Sequence, residues 1–283
     1  MASSYLNIVT FLLTTLFYYI ALKPSLNYTS LTDKTKYQNY ISNSYMYLAV
    51  YIVLVILIQF IINSSIIASN CGGNITENMG AAGVMTFIPW ILIFAVLVLV
   101  LTIFPGFKSA FSDVVGYYYV SSTANRVITE LLVNTDIEKK MSEDPTMTPE
   151  KRASLESAAD TIIKICGNSS VLINQIVPSN FEEYWGILKP LMKEAYQDDS
   201  SPGTVKMKND LFELVVTRDN VGEAMWYIYT GVLLTSIVQL KITTRGCTSN
   251  PQTMEANYQK FLQQEQQNKQ AHENAATTYT ISN

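Results

Sequence analysis

The stretch MYLAVYIVLVILIQFIINSSIIA, residues Met46–Ala68, decides the fold class. It carries no charged residue, and its Val, Ile and Leu run on without the alternation that marks a half-wet strand. About 20 apolar residues rising ~1.5 Å each cross the ~30 Å of hydrocarbon in a bilayer. Three further stretches meet the same condition: Tyr5–Leu22, Gly83–Phe104 and Ala224–Ile242. Backbone polar groups in hydrocarbon must be satisfied within the segment, which favours helix throughout. The expected fold is therefore all-α, a multi-span transmembrane protein of three or four spans with a small helical soluble domain.

Composition narrows the function. Of 283 residues, 15% are charged and the net charge is −4, against ~25% charged in ordinary soluble domains. No cluster of Lys or Arg is present, so nucleic acid is not an expected partner and the lipid bilayer is. The single histidine, His272, lies in the polar tail, which leaves little for a His-based metal site or a Ser–His nucleophile. Cys71, Cys166 and Cys247 show no metal-ligand spacing. Two readings of them stay open: three unrelated thiols, or a disulfide between Cys71 and Cys247, each of which follows the end of a span.

The chain divides into five parts: a membrane anchor over 1–106, an amphipathic segment over 107–134, a soluble helical domain over 135–220, the fourth apolar helix over 221–246 and a Gln-rich tail over 247–283. The N-terminus has no basic region before its apolar run and reads as a retained span. Lys23–Ser44 reads as a polar loop, and Pro89 predicts a kink early in the third span. Phe107, Phe111, Val114, Val115 and Tyr118 recur at three- and four-residue spacing. With Lys108 and Asp113 on the other side, this helix either lies along the membrane surface or packs on the soluble domain. Trp90, Phe107, Phe111, Tyr118, Trp226 and Tyr227 are the expected anchors at the membrane–water boundary.

In the soluble part, Thr148-Pro149-Glu150 predicts a helix start. The capping box Ser179-Asn-Phe-Glu182 predicts a helix to Tyr196, bent or broken at Pro190. A further helix is expected over Val205–Arg218 with Leu211, Phe212, Leu214 and Val215 inward. Ala224–Ile242 is either a fourth span or a buried helix of the soluble domain. Lys23, Lys34, Lys36 and Lys108 fall on one face of the membrane, which places the soluble domain in the cytosol and Cys71 on the oxidising side.

No GxSxG, P-loop, HExxH or Gly-rich phosphate turn occurs, and Glu182-Glu183 and Asp198-Asp199 read as a cap and a solvated loop. The expectation is a protein without catalytic residues, cofactor or metal. Two blocks carry a resemblance: PGFKSAFSDVVGY, residues 105–117, and RDNVGEAMWYIYTGVL, residues 218–233. They resemble blocks in a family of membrane-associated virion proteins of nucleocytoplasmic large DNA viruses, and cover about a tenth of the chain. That family favours Asn where this chain has Asp113. The resemblance implies a minor capsid component of the virion internal membrane, made in a host membrane derived from the endoplasmic reticulum. Its implied partners are major and other minor capsid proteins and further copies of the chain. The competing expectation is a small channel or transporter subunit, against which the near absence of charge within the spans counts.

Overall fold

The computed structural model describes residues 5–71, 75–132, 148, 150, 169–244 and 251–276. Among them the chain is helical, and the one extended pairing is an isolated bridge between Leu132 and Met192. The helix expected to start at Thr148-Pro149-Glu150 lies outside the described residues apart from Thr148 and Glu150.

The first span is helix α1 (Leu6–Phe17), whose last turn widens to a π-helix over Tyr18–Leu22. Pro24 excludes helical backbone at the residue before it, and Lys23 leaves the helix with ψ 122°. A short helix α2 (Tyr28–Thr32) leads into α3 (Lys34–Cys71). The Asp33 carboxylate accepts the backbone N–H of Thr35 at 2.9 Å and of Lys36 at 3.1 Å, capping α3. The polar loop expected to run to Ser44 is therefore corrected: from Lys34 it is the first three turns of a 38-residue helix free of Gly and Pro.

The third span begins earlier than expected. It comprises α4 (Ile75–Pro89), a π turn (Trp90–Ala95) and α5 (Val96–Ile103). Pro89 has no N–H to donate, and the wider turn right after it is where the helix absorbs that loss. Beyond Pro105 come α6 (Ser109–Phe111), a π turn (Ser112–Gly116) and α7 (Tyr117–Leu131). The soluble part adds α8 (Ser169–Gln175) and α9 (Phe181–Leu188). Helix α9 stops before Pro190, and its start is Asn180, which makes no side-chain cap; the expected capping box does not form.

The largest departure is α10 (Pro202–Thr244). The separate helix and fourth span expected from sequence are one 43-residue helix, ~65 Å long at 1.5 Å per residue. It is therefore long enough to cross ~30 Å of hydrocarbon and still reach well into the soluble domain. By length and composition α3, α4–α5 and α10 can each cross a membrane, and α1 is a shorter apolar helix beside them. The tail forms α11 (Pro251–Ala276), with Tyr258 and Phe261 exposed.

The bundle is apolar outside and polar inside, the reverse of a water-soluble core. Leu13, Val53, Ile61, Leu92, Leu99 and Leu240 face outward, while Asn7, Gln59, Asn63 and Thr86 are buried. Lipid tails are as apolar as these outward side chains, so helix association rests on packing and interhelical hydrogen bonds. The Asn7 amide donates to Asn63 Oδ1 (2.9 Å) and to Gln239 Oε1 (3.2 Å); Asn63 donates to Thr86 (2.8 Å) and Gln59 to the Asn7 carbonyl (3.0 Å). All four membrane helices thus share one polar ladder. Asn63→Leu should lower stability by about 1 kcal/mol, measured by unfolding in mixed micelles.

Aromatic rings fill the rest. Phe11 lies 5.4 Å from Trp90 and meets Phe94 edge-on at 5.8 Å, and Tyr51 lies 5.8 Å from Tyr227. Two expected boundary anchors are thereby corrected: Trp90 is fully buried and Tyr227 nearly so. Their rings occupy gaps between helices, where ring–ring contact is available and lipid headgroups are out of reach. The soluble core gathers Leu211, Phe212 and Val215 of α10 with Ile173, Phe181 and Trp185, as expected for the first three.

Candidate functional site

The two blocks at 105–117 and 218–233 fold against each other where α10 passes from the soluble core into the bundle. Along the contact Phe107 meets Trp226, Ser112 meets Gly222 and Gly116 meets Arg218, so the segment runs antiparallel to α10. The segment packs on α10 through one face and leaves its apolar stripe outward. The inward face is Ser112, Gly116 and Val120, and the apolar stripe is not the packed one: Val114 and Tyr118 point outward. Phe107 is also exposed, whereas Phe111 is half-buried edge-on to Trp226 at 5.0 Å. The Trp226 indole N–H donates to the Phe107 carbonyl at 3.0 Å.

Glycine sets how closely the two segments approach. A Cβ on Gly222 would stand 2.6 Å from Ser112 Cβ and 2.7 Å from its backbone nitrogen, and one on Gly116 would stand 2.4 Å from the Arg218 carbonyl oxygen. Only a residue without a side chain fits either place.

That approach encloses charge. Glu223 receives Lys23 Nζ at 2.5 Å, Lys108 Nζ at 2.7 Å and the Tyr19 hydroxyl at 3.1 Å. Lys108 also reaches Asp219 at 3.2 Å. The four charged side chains are 8–17% exposed, so water screens them little. Burial works to lower the Lys108 pKa, but the carboxylates of Glu223 and Asp219 outweigh it and hold the ammonium above its ordinary range. Lys108, expected on a wet face, is therefore corrected to a buried ion pair. Beside the cluster lies a cavity of about 230 Å³ bordered by Tyr40, Ser44 and Lys108.

A second buried cation sits one turn higher. Arg218 is 1% exposed; its guanidinium donates to the Ile173 carbonyl and to Asn174 Oδ1 (3.4 Å), and lies 3.9 Å from Asp113. Asn174 in turn donates to the Asp113 carbonyl at 3.0 Å. Arg218 thus ties α8, the π turn and α10 together, a role the sequence did not disclose.

Two cations meet two anions around Glu223, and one meets one around Arg218. Balanced, hydrogen-bonded charge in a low-dielectric setting fixes geometry. Spans one, three and four are fastened at one level. Among the described residues no group of three or more His, Cys, Asp or Glu could hold a metal ion.

At the opposite end of the bundle, Cys71 is disulfide-bonded. It packs beside Val238 and Ile242 of α10. Cys166 and Cys247 lie outside the described residues. In sequence Cys247 follows by three positions Thr244, the last residue of α10 at this end, whereas Cys166 precedes α8 of the soluble core. The expected outcome is that Cys247→Ser frees the Cys71 thiol to a maleimide under non-reducing conditions, and that Cys166→Ser does not.

These features define a multi-span helical membrane protein in which one helix is shared between bundle and soluble core. Comparison with known protein families, with curated proteins and with solved structures gives no match to this chain.

Proposed function

We propose that this protein is a structural component of a large DNA virus particle, a minor capsid protein that holds the internal membrane to the shell. The observation that carries the reading is the contact between residues 105–117 and 218–233. The two blocks that resemble one virion family are far apart in sequence, and here they are each other's packing partners. Their shared features serve rigidity: small residues at the contact, and Lys108 paired with Asp219 and Glu223. Such a site holds position and performs no catalysis. The soluble core and the exposed helix α11 supply the surfaces for capsid proteins, by helix-in-groove contact. Copies in a symmetric shell bind multivalently, so each contact can be weak.

The experiment is fractionation of purified virions. The protein should survive external protease, leave the particle only with detergent, and occur in a copy number set by the lattice. Its absence from purified virions would refute the assignment. The 230 Å³ cavity beside Lys108 favours one alternative, a channel or transporter subunit. That alternative requires ion flux in liposomes that changes with Lys108→Met, and the full pairing of Lys108 speaks against it.

A further inference from the structure

An apolar groove of about 690 Å³ runs between α1 and α10 on the outer surface of the bundle. Its volume lies within the ~300–1,000 Å³ of small-ligand sites. Leu12 and Leu16 form one wall, Ala224 and Ile228 the other, and Tyr119 of α7 overhangs the top. The groove is graded along the membrane normal. Toward the soluble core it ends at Thr217 and Asn220, and no charged side chain lines it. Among the described residues neither Thr217 nor Asn220 has a hydrogen-bond partner for its side chain.

Three observations identify the occupant. The walls belong to bilayer-facing surface, since Leu16 is 54% exposed and continuous with outward Leu13 and Leu12. Below the Lys23–Glu223 pair the α1 wall runs from Tyr19 to Leu12, about 10 Å at 1.5 Å per residue, which fits within the ~15 Å half-thickness of the hydrocarbon. Its polar end, Thr217 and Asn220, lies on the soluble side of the Lys23–Glu223 pair, where the spans emerge and headgroups sit. We infer that the groove binds one acyl chain of a glycerophospholipid from that leaflet, with Thr217 and Asn220 donating to the ester or phosphate oxygens. Thr217 and Asn220 are neutral donors and the nearby Lys23 is already paired with Glu223, which suits a zwitterionic headgroup better than an anionic one. The inference rests on membrane insertion and not on the virion assignment, so either can fail alone.

The test uses the full chain in vesicles of deuterated phosphatidylcholine, taken into detergent, with retained lipid counted by mass spectrometry and folding followed by thermal melting. The native chain should keep one labelled phospholipid through detergent exchange. Ala224→Phe, which fills the groove, should retain about tenfold less, and Leu240→Phe, on the outward surface away from it, should retain as much as native. Thr217→Val keeps shape and removes the hydroxyl; it should retain roughly fivefold less with an unchanged melt, which keeps the inference testable if Ala224→Phe does not fold. Equal retention by native and Thr217→Val, or no lipid on the native chain, would overturn it.

Discussion

Glu223→Gln should be the most damaging single isosteric change in the molecule, lowering stability by about 3–5 kcal/mol. Glu223 is the shared counter-ion of Lys23 and Lys108. Without its charge, one ammonium keeps only Asp219 as a partner and the other loses its carboxylate. Both stay buried, so they are not rehydrated, and that uncompensated desolvation is the source of the cost. Denaturant or detergent unfolding measures it, and the double variant Glu223→Gln with Lys23→Met should recover part of the loss. The exposed pair Glu265–Lys269 on α11 is the contrast: Glu265→Gln should change stability by less than about 0.5 kcal/mol. Equal effects at the two sites would mean the cluster is solvated and holds nothing.

Gly222→Ala should reverse the usual sign of a helical Gly→Ala change. In an open helix such a change gains about 0.8–1 kcal/mol. Gly80 in α4, with nothing within 4 Å of a new Cβ, should show that gain. At Gly222 the same methyl meets the backbone of Ser112 at 2.7 Å, and backbone cannot rotate away as a flexible side chain can. The segment 109–116 must lift from α10, for a net loss of about 1–3 kcal/mol, and the Lys108 ion pairs should loosen with it. Melting temperatures of the two alanine variants, taken side by side, give the answer.

Membrane insertion was readable from Met46–Ala68 alone, because apolar runs of that length have few other uses. So was the soluble packing of Leu211, Phe212 and Val215, where helical spacing marks one face. The ion cluster was half readable. Lys23 follows the first span, Lys108 follows the third and Glu223 precedes the fourth, so topology alone sets all three at one level of the membrane. Their pairing was hidden because local periodicity carries no information on which helices are neighbours. The same gap misplaced Trp90 and Tyr227, whose rings suit a boundary and a bundle interior equally. The stripe at Phe107, Val114 and Tyr118 faces outward because the contact with α10 is made through the small residues Ser112 and Gly116. Residues Arg218-Asp-Asn read as a break in α10 since exposed charge usually ends an apolar run. Here Arg218 is buried with partners, and the helix continues.

The unbroken α10 gives the molecule its mechanical sense. One helix carries the soluble core at its start, the ion cluster at its middle and the neighbourhood of Cys71 at its end. A force on the soluble core is therefore passed to the bundle through covalent helix, with no hinge between them. That is the behaviour the proposed tether requires, and it depends on α10 crossing the bilayer completely.

Crossing is tested most directly by labelling one introduced cysteine at a time, Ser200→Cys before α10 or Gln267→Cys in α11, in a background where Cys71, Cys166 and Cys247 are all changed to Ser. The protein is inserted in one orientation into sealed vesicles and treated with a membrane-impermeant maleimide. The account predicts that one of the two sites reacts at once and the other only after permeabilisation. Reaction of both from the same side would contradict it, since α10 would then pack against the bilayer without passing through.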